Sequence, residues 1–380
     1  MMEGKLSLLD TLEPEQQDVA EDGEKQIPTP RENLLCLGHE NIEDTLLKLF
    51  NAGQLPHAMI FSGPVGIGKA TFAYRLARFL LSQGAEGQGG LFGGEQAPHE
   101  SFNADEEGGV VRRVASGGHA DLLTVGRVFD TKKSKLSNQI PVDEVRRVAP
   151  FLRRTSSEGG WRIVIVDDAQ YLNRSSQNAL LKILEEPPAK ALLVLITDQP
   201  GRFLPTIRSR CQTYTFNGLS ENHIDTLLQR FSPQTDQASQ TLAKSLGQGQ
   251  IGRILKVLQN DGVSVYRDVF DLLSRLPAVD GEWGYNLSET LGADEKAYRL
   301  YMEFLLDILR AFVRYQALGA FPPSVDEKDL DIYQKMSHLH SRDVWLRIWE
   351  KAVQIVEETE RMHLDKKQAV LNIIWTLENK

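Results

Sequence analysis

Gly63-Pro64-Val65-Gly66-Ile67-Gly68-Lys69-Ala70 decides how the rest of the chain is read. Gly63, Gly68 and Lys69 fit the phosphate-loop pattern G-x-x-x-x-G-K-[ST], with Gly66 between them, but Ala70 stands where a Ser or Thr hydroxyl would hold Mg²⁺. The short apolar run 58–61 predicts a buried strand leading into the loop. Beyond it Phe72, Leu76, Phe79 and Leu80 recur at helical spacing over 71–81. A loop of this kind, at a helix N-terminus, points backbone N–H groups at an anion, and Lys69 would reach the outer phosphates. Without a hydroxyl at position 70 the metal loses one protein ligand. Thr71 is a poor substitute, because one step along a helix turns a side chain by ~100°. ATP or ADP is the expected ligand, with Mg²⁺ weak or absent and the chain's own hydrolysis impaired.

Outward from the loop, the pattern is one of strands alternating with helices. An amphipathic helix is expected over 40–52, with Ile42, Leu46, Leu47 and Phe50 on one face. A strand at 121–125 precedes a helix over 141–152 (Val145, Val148, Phe151). Ile163-Val164-Ile165-Val166 is apolar throughout, as suits a central parallel strand covered on both faces. A helix over 175–186 stops at Pro187-Pro188, and a second apolar strand occupies 191–197. A short helix around 204–208 and a strand at 212–216 follow. This alternation predicts a three-layer α/β domain with a parallel sheet.

After Gly218 the strand signals stop. A small helical domain over 218–260 and a larger all-helical one over 261–380 are expected behind an α/β domain at 31–217. In the last domain Tyr301, Leu305, Ile308, Leu309 and Phe312 make one stripe, and Trp345, Ile348, Trp349, Ala352 and Val356 another. Residues 1–30, acidic and punctuated by Pro14, Pro28 and Pro30, read as a flexible tail. The stretch 83–118, rich in Gly and acidic residues, reads as a mobile insert unable to bury enough apolar surface to pack.

Bulk composition bounds the function. The chain has 380 residues, 41% of them apolar and 25% charged, as in ordinary globular proteins. Cys36 and Cys211 are its two cysteines, which offers no disulfide framework and makes a reducing cytoplasm the expected compartment. No run approaches the ~18 apolar residues of a membrane span, so no membrane role is expected. A net charge of −9 argues against tight autonomous binding to nucleic acid.

In open α/β sheets ligands sit beyond the carboxyl ends of the strands. The first such end carries the phosphate loop. The second carries Asp167, in the place of a carboxylate that holds Mg²⁺, followed by Asp168 where hydrolases of this type place a Glu as base for water. Asp reaches one methylene less far, which weakens that role. The third carries Thr197, whose hydroxyl is placed to sense a phosphate or orient water. Ser209-Arg210-Cys211 lies between a short helix and a strand, and Arg210 there reads either as a plain surface residue or as a guanidinium reaching a neighbouring subunit's nucleotide. Arg253, at the start of a helix in the small domain, reads either as a phosphate contact or as a solvated cap.

Together, Leu55-Pro56-His57-Ala58, the 63–69 loop, Val166-Asp167-Asp168-Ala169, Asn178-Ala179-Leu180-Leu181-Lys182-Ile183-Leu184-Glu185-Glu186-Pro187-Pro188 and Ser209-Arg210-Cys211 resemble AAA+ clamp-loader subunits, over about 38–253. The resemblance implies an AAA+ P-loop domain, a helical lid and a C-terminal helical collar. It implies a heteropentamer with motor (tau/gamma) and delta subunits that opens a sliding clamp and loads it onto primed DNA. It places an arginine finger acting in trans at Arg210 and phosphate sensors at Thr197 and Arg253. Ala70 and Asp168 depart from the motor pattern, so a stationary structural subunit is expected, the alternative being an active motor ATPase of the same machine. Members of this group often carry four Zn²⁺-binding cysteines between the two nucleotide motifs. Here that stretch has none, and no metal site and no zinc are expected.

Overall fold

Three consecutive apolar strands form the centre of a parallel sheet, as their two-sided apolarity requires. The computed structural model describes residues 27–86, 98–130, 135–259, 262–319 and 327–378. The acidic tail therefore lies outside the described residues as far as 26. Two compact units emerge, one of 27–231 with Gly249–Gly252, the other of Ser232–Gln248 with 253–378.

In the first unit the elements run α1 (Glu40–Asn51), β1 (Ala58–Ser62), α2 (Lys69–Glu86), α3 (Gly109–Ala115), β2 (Leu122–Val125), β3 (Phe129–Asp130), β4 (Lys135–Leu136), α4 (Val142–Arg146), α5 (Val148–Arg153), β5 (Arg162–Val166), α6 (Arg174–Glu185), β6 (Ala191–Thr197), α7 (Pro205–Arg208), β7 (Gln212–Thr215) and α8 (Glu221–Phe231). The main sheet has the order β2-β5-β6-β1-β7, and β3 and β4 form a separate ribbon. All pairings in the main sheet are parallel, with Ser62 level with Thr197 and Val166 level with Leu195. The ends of β5, β6 and β1 are therefore neighbours along one edge.

Alternation along each strand divides the apolar side chains between two layers. Met59, Phe61, Ile163, Ile165, Val194 and Ile196 face α1, α2 and α3. Ile60, Val164, Val166, Leu193 and Leu195 face α4, α5, α6 and α7. This is the three-layer α/β arrangement expected from the alternating strands and helices.

Two local expectations need correction. The helix over 141–152 is broken at Arg147 into α4 and α5. Pro150 has no N–H to donate to the carbonyl of Arg146, and its ring would crowd that carbonyl, so the helix restarts with Pro150 in its first turn. In the stretch 83–118, α2 runs on to Glu86, 87–97 lie outside the described residues, and 98–118 pack instead of moving freely. Phe102 is buried with its ring 4.9 Å from Phe79 and 6.2 Å from Phe72, and Val110 and Val114 of α3 join the same core. Burying one Phe contributes about 1.5–3 kcal/mol, enough to anchor a segment whose average composition is polar.

The second unit is all-helical: α9 (Gln237–Gly247), α10 (Ile251–Gln259), α11 (Gly262–Arg275), α12 (Gly281–Ala293), α13 (Glu295–Leu318), α14 (Glu327–Leu339), α15 (Arg342–Met362) and α16 (Lys366–Glu378). Of the stretch 218–260, α8 thus falls with the first unit and α9 with the second. Asp294 caps α13 by accepting from the N–H groups of Lys296 and Ala297. Tyr301, Leu305, Ile308, Leu309 and Phe312 of α13 are buried, as are Trp345, Ile348, Ala352 and Val356 of α15. The Trp345 ring sits 5.3 Å edge-on to Phe312, and its indole N–H donates to the Met336 carbonyl at 3.0 Å. Both stripes are core except at Trp349, which is half-buried. Among the described residues no helix is long and apolar enough to cross a membrane.

Candidate nucleotide site

The phosphate loop leaves β1 on a backbone that only glycine tolerates. Gly66 and Gly68 adopt φ of 76° and 98°, and a Cβ on Gly63 would stand 2.4 Å from the Phe216 carbonyl oxygen. The Gly63 N–H donates to the Thr197 carbonyl (3.2 Å) and the Phe216 N–H to the Ser62 carbonyl (2.7 Å), which fixes where the loop departs. Lys69 opens α2 and is buried. Its Nζ donates to the carbonyls of Gly63 (2.7 Å) and Pro64 (2.6 Å), curling over the loop. The Gly66 carbonyl accepts from the Gly252 N–H at 2.8 Å, and the Ile67 carbonyl is 2.7 Å from His39 Nε2. Ala70, where the hydroxyl is missing, packs against the core on the α2 side.

The end of β5, one strand beyond β6, holds the two acids in different states. The Asp167 carboxylate accepts from the Asp168 N–H at 3.0 Å. Burial, then the charge of Asp168, push its pKa up from 3.8 to about 6, with Lys69 and Arg127 pulling the other way. Asp168 has a left-handed backbone, φ 52°, and its side chain turns to Arg127 at the end of β2. Arg127 donates Nε and Nη2 to Asp168 Oδ2 at 3.2 and 3.1 Å, while Gln170 Nε2 donates to Oδ1 at 3.2 Å. The Arg127 side chain is 6% exposed, and its guanidinium lies 4.2 Å over the Tyr171 ring. Asp168 is thereby committed to a doubly bonded ion pair, a poor starting point for a base that must take a proton from water.

Thr197 is buried at the end of β6, where its Oγ1 accepts from the Gln199 N–H at 3.0 Å. Arg210, beyond α7, is exposed. Its Nη1 donates to the Thr206 carbonyl (3.1 Å) and its Nη2 lies 3.1 Å from Oε1 of Glu185, so Ser209-Arg210-Cys211 meets the Asn178–Pro188 block. Arg253 belongs to the second unit, where its guanidinium pairs with Asp307 of α13, an acid that also takes Arg310 at 2.6 Å. The structure thus gathers the loop, Lys69, Asp167 and Thr197 at adjoining strand ends and leaves Asp168 turned to Arg127.

This donor set fits a phosphate well and a divalent metal poorly. Gly63, Gly66, Gly68 and Lys69 give backbone donors and a cation. For a metal there is Asp167 with no hydroxyl at position 70, and among the described residues no group of three or more His, Cys, Asp or Glu stands ready. Sequence reasoning missed His39, Arg127 and Gly252. Their partners lie 28, 41 and well over a hundred residues away, and no local pattern joins them.

A family profile described as "DNA polymerase III, delta subunit" matches residues 38–220. The DNA polymerase III subunit delta' of Escherichia coli (strain K12) is 29% identical over 269 residues, covering 70% of this chain and 74% of that protein. That of Pseudomonas aeruginosa is 35% identical over 164 residues, covering 43% of this chain and 44%, less than half, of that protein. The DNA polymerase III subunit gamma of Buchnera aphidicola subsp. Schizaphis graminum is 26% identical over 275 residues, covering 71% and 66%. The matched stretch contains the phosphate loop, the acidic strand end and Ser209-Arg210-Cys211. The chain is thus similar, over 38–220, to the DNA polymerase III delta subunit family and, over a longer stretch, to the delta' and gamma subunits of DNA polymerase III.

Proposed function

We propose that the chain is the stationary, delta-prime type of subunit in a bacterial clamp loader. It acts beside ATPase motor subunits and lends Arg210 in trans to a neighbour's nucleotide while the sliding clamp is loaded onto primed DNA. Its partners in this reading are motor (tau/gamma) and delta subunits of a heteropentamer in the cytoplasm, with clamp and DNA met through the complex.

The observation that carries the reading is the state of the acidic strand end. A motor needs a metal-holding hydroxyl and a free base, and here position 70 is an apolar contact and Asp168 is bonded to Arg127. Gly63, Gly66, Gly68 and Lys69 still suit ATP or ADP with little metal help, and Asp167 and Thr197 border the phosphates. Arg210 supports the trans role because its acidic partner among the described residues, Glu185, is itself exposed. Such exposed pairs contribute only about 0–1 kcal/mol, so the guanidinium can transfer to another subunit's phosphate at small cost.

The test is ATP hydrolysis by a reconstituted loader containing Arg210→Ala, with clamp and primed DNA present. Stimulated turnover at the adjoining motor site is expected to fall by ~10³-fold or more while the complex remains assembled. Unchanged turnover would leave the chain a purely architectural role. The likeness to gamma subunits favours a second reading, an active motor ATPase. ATP turnover by the pure chain with Mg²⁺, at rates ordinary for motors, would establish that reading in place of the first.

A further inference from the structure

The loop's carbonyl groups are tied down one by one. Lys69 Nζ holds those of Gly63 and Pro64, the Gly252 N–H holds that of Gly66, and His39 Nε2 holds that of Ile67 at 2.7 Å. Across a trans peptide the carbonyl and the following N–H point in opposite directions. Except at Gly63, where Pro64 has no N–H, each tied carbonyl therefore turns the next N–H to the other side of the loop. The N–H groups of Val65, Ile67 and Gly68, which follow three of these carbonyls, find no acceptor among the described residues. They are donors awaiting an anion.

His39 stands apart in this scheme because it lies outside the loop, just before α1, and is 6% exposed. A carbonyl only accepts, so Nε2 carries the hydrogen. The ring is held from behind by Phe216, with centroids 4.7 Å apart and nearly perpendicular, and by Phe72 at 6.3 Å. A buried histidine is ordinarily a core residue satisfied by whatever acceptor is near. This one spends its donor on the Ile67–Gly68 peptide.

We propose that His39 is a positioning residue for phosphate binding: by holding the Ile67 carbonyl it keeps the Ile67–Gly68 peptide turned so that the Gly68 N–H faces the anion. This rests on the reading that the loop still takes a nucleotide. Two substitutions separate donation from packing. His39→Phe keeps the ring against Phe216 and loses the donor, whereas His39→Gln loses the ring and keeps an N–H.

The experiment is metal-free ATP binding by the full chain, followed calorimetrically, together with the backbone amide resonance of Gly68 without nucleotide. Affinity is expected to fall about tenfold in H39F and to stay within about threefold of the parent in H39Q, the scale of one lost hydrogen bond. The Gly68 resonance should move in H39F and return in H39Q. If affinity instead survives in H39F and is lost in H39Q, the ring's packing is what matters and the proposal fails. If the parent binds no ATP, the occupancy reading fails on its own, and the Gly68 resonance alone then decides: moved in H39F and restored in H39Q it upholds the positioning role, unmoved it overturns it.

Discussion

The phosphate side and the metal side of this site differ in state although only β6 separates the strands that carry them. At the end of β1 stand features that suit an anion: glycines with positive φ, a buried lysine over the loop, tied carbonyls and N–H groups without acceptors among the described residues. At the end of β5 the acids have other commitments: Asp167 is desolvated and Asp168 is held by Arg127. In the proposed reading, holding a nucleotide and hydrolysing it depend on separable sets of residues.

Within the chain's own site the largest expected effect is at Lys69. Lys69→Ala removes the cation and the donor to two carbonyls, and calorimetric ATP affinity without metal should fall ~100-fold or more, a loss of about 2.7 kcal/mol. Retained affinity would break the contrast at its strong side. Next is Arg127→Ala. It strands Asp168, and because that carboxylate is 39% exposed the cost should be about 2 kcal/mol, below that of a fully buried pair, read as a lower melting temperature. No gain in ATP turnover is expected, since position 70 still lacks its hydroxyl.

Ala70→Ser probes the metal side directly. Mg²⁺ should change ATP affinity little in the parent chain and tighten it about tenfold in the variant, on the scale by which such oxygen groups tune metal affinity. The smallest effect is expected at Asp167. Between 3.8 and about 6 the folded carboxyl keeps a proton that the unfolded chain has released. Stability therefore declines as pH rises through that window, and the charged form is fully costly above it. Asp167→Asn should raise the melting temperature at pH 7.5 by a few degrees and leave it unchanged at pH 4. An equal gain at both values would mean that the charge is not the cause.

Much of this was legible in the sequence because the signals are local. The runs at 58–61, 163–166 and 191–197 are apolar at every position, which a parallel strand covered on both faces requires, and the loop's glycines are set by its own backbone. The break at Arg147 was also local, in Pro150, but was hidden under an otherwise regular helical spacing. What could not be read depends on partners brought together by the fold. Phe102 looks like a stray aromatic in a Gly-rich stretch until Phe72 and Phe79 surround it. Asp168 has the spacing of a catalytic acid, and only its juxtaposition with Arg127 shows where its charge goes. Arg253 likewise carries no sign of Asp307, 54 residues downstream.

The position of β1 has a consequence for how the chain is made. β1 is near the start of the sheet in sequence, yet its two neighbours are β6 and β7, so Ala58 must wait for Leu193 and Met59 for Gln212. At roughly 5–20 residues per second of synthesis the delay is on the order of ten seconds. Throughout it the strand Ala58-Met59-Ile60-Phe61-Ser62 has emerged from the ribosome with both hydrogen-bonding edges open and an apolar surface on each face. During translation this strand is open to premature pairing with another nascent chain, and a chaperone's cover would guard it.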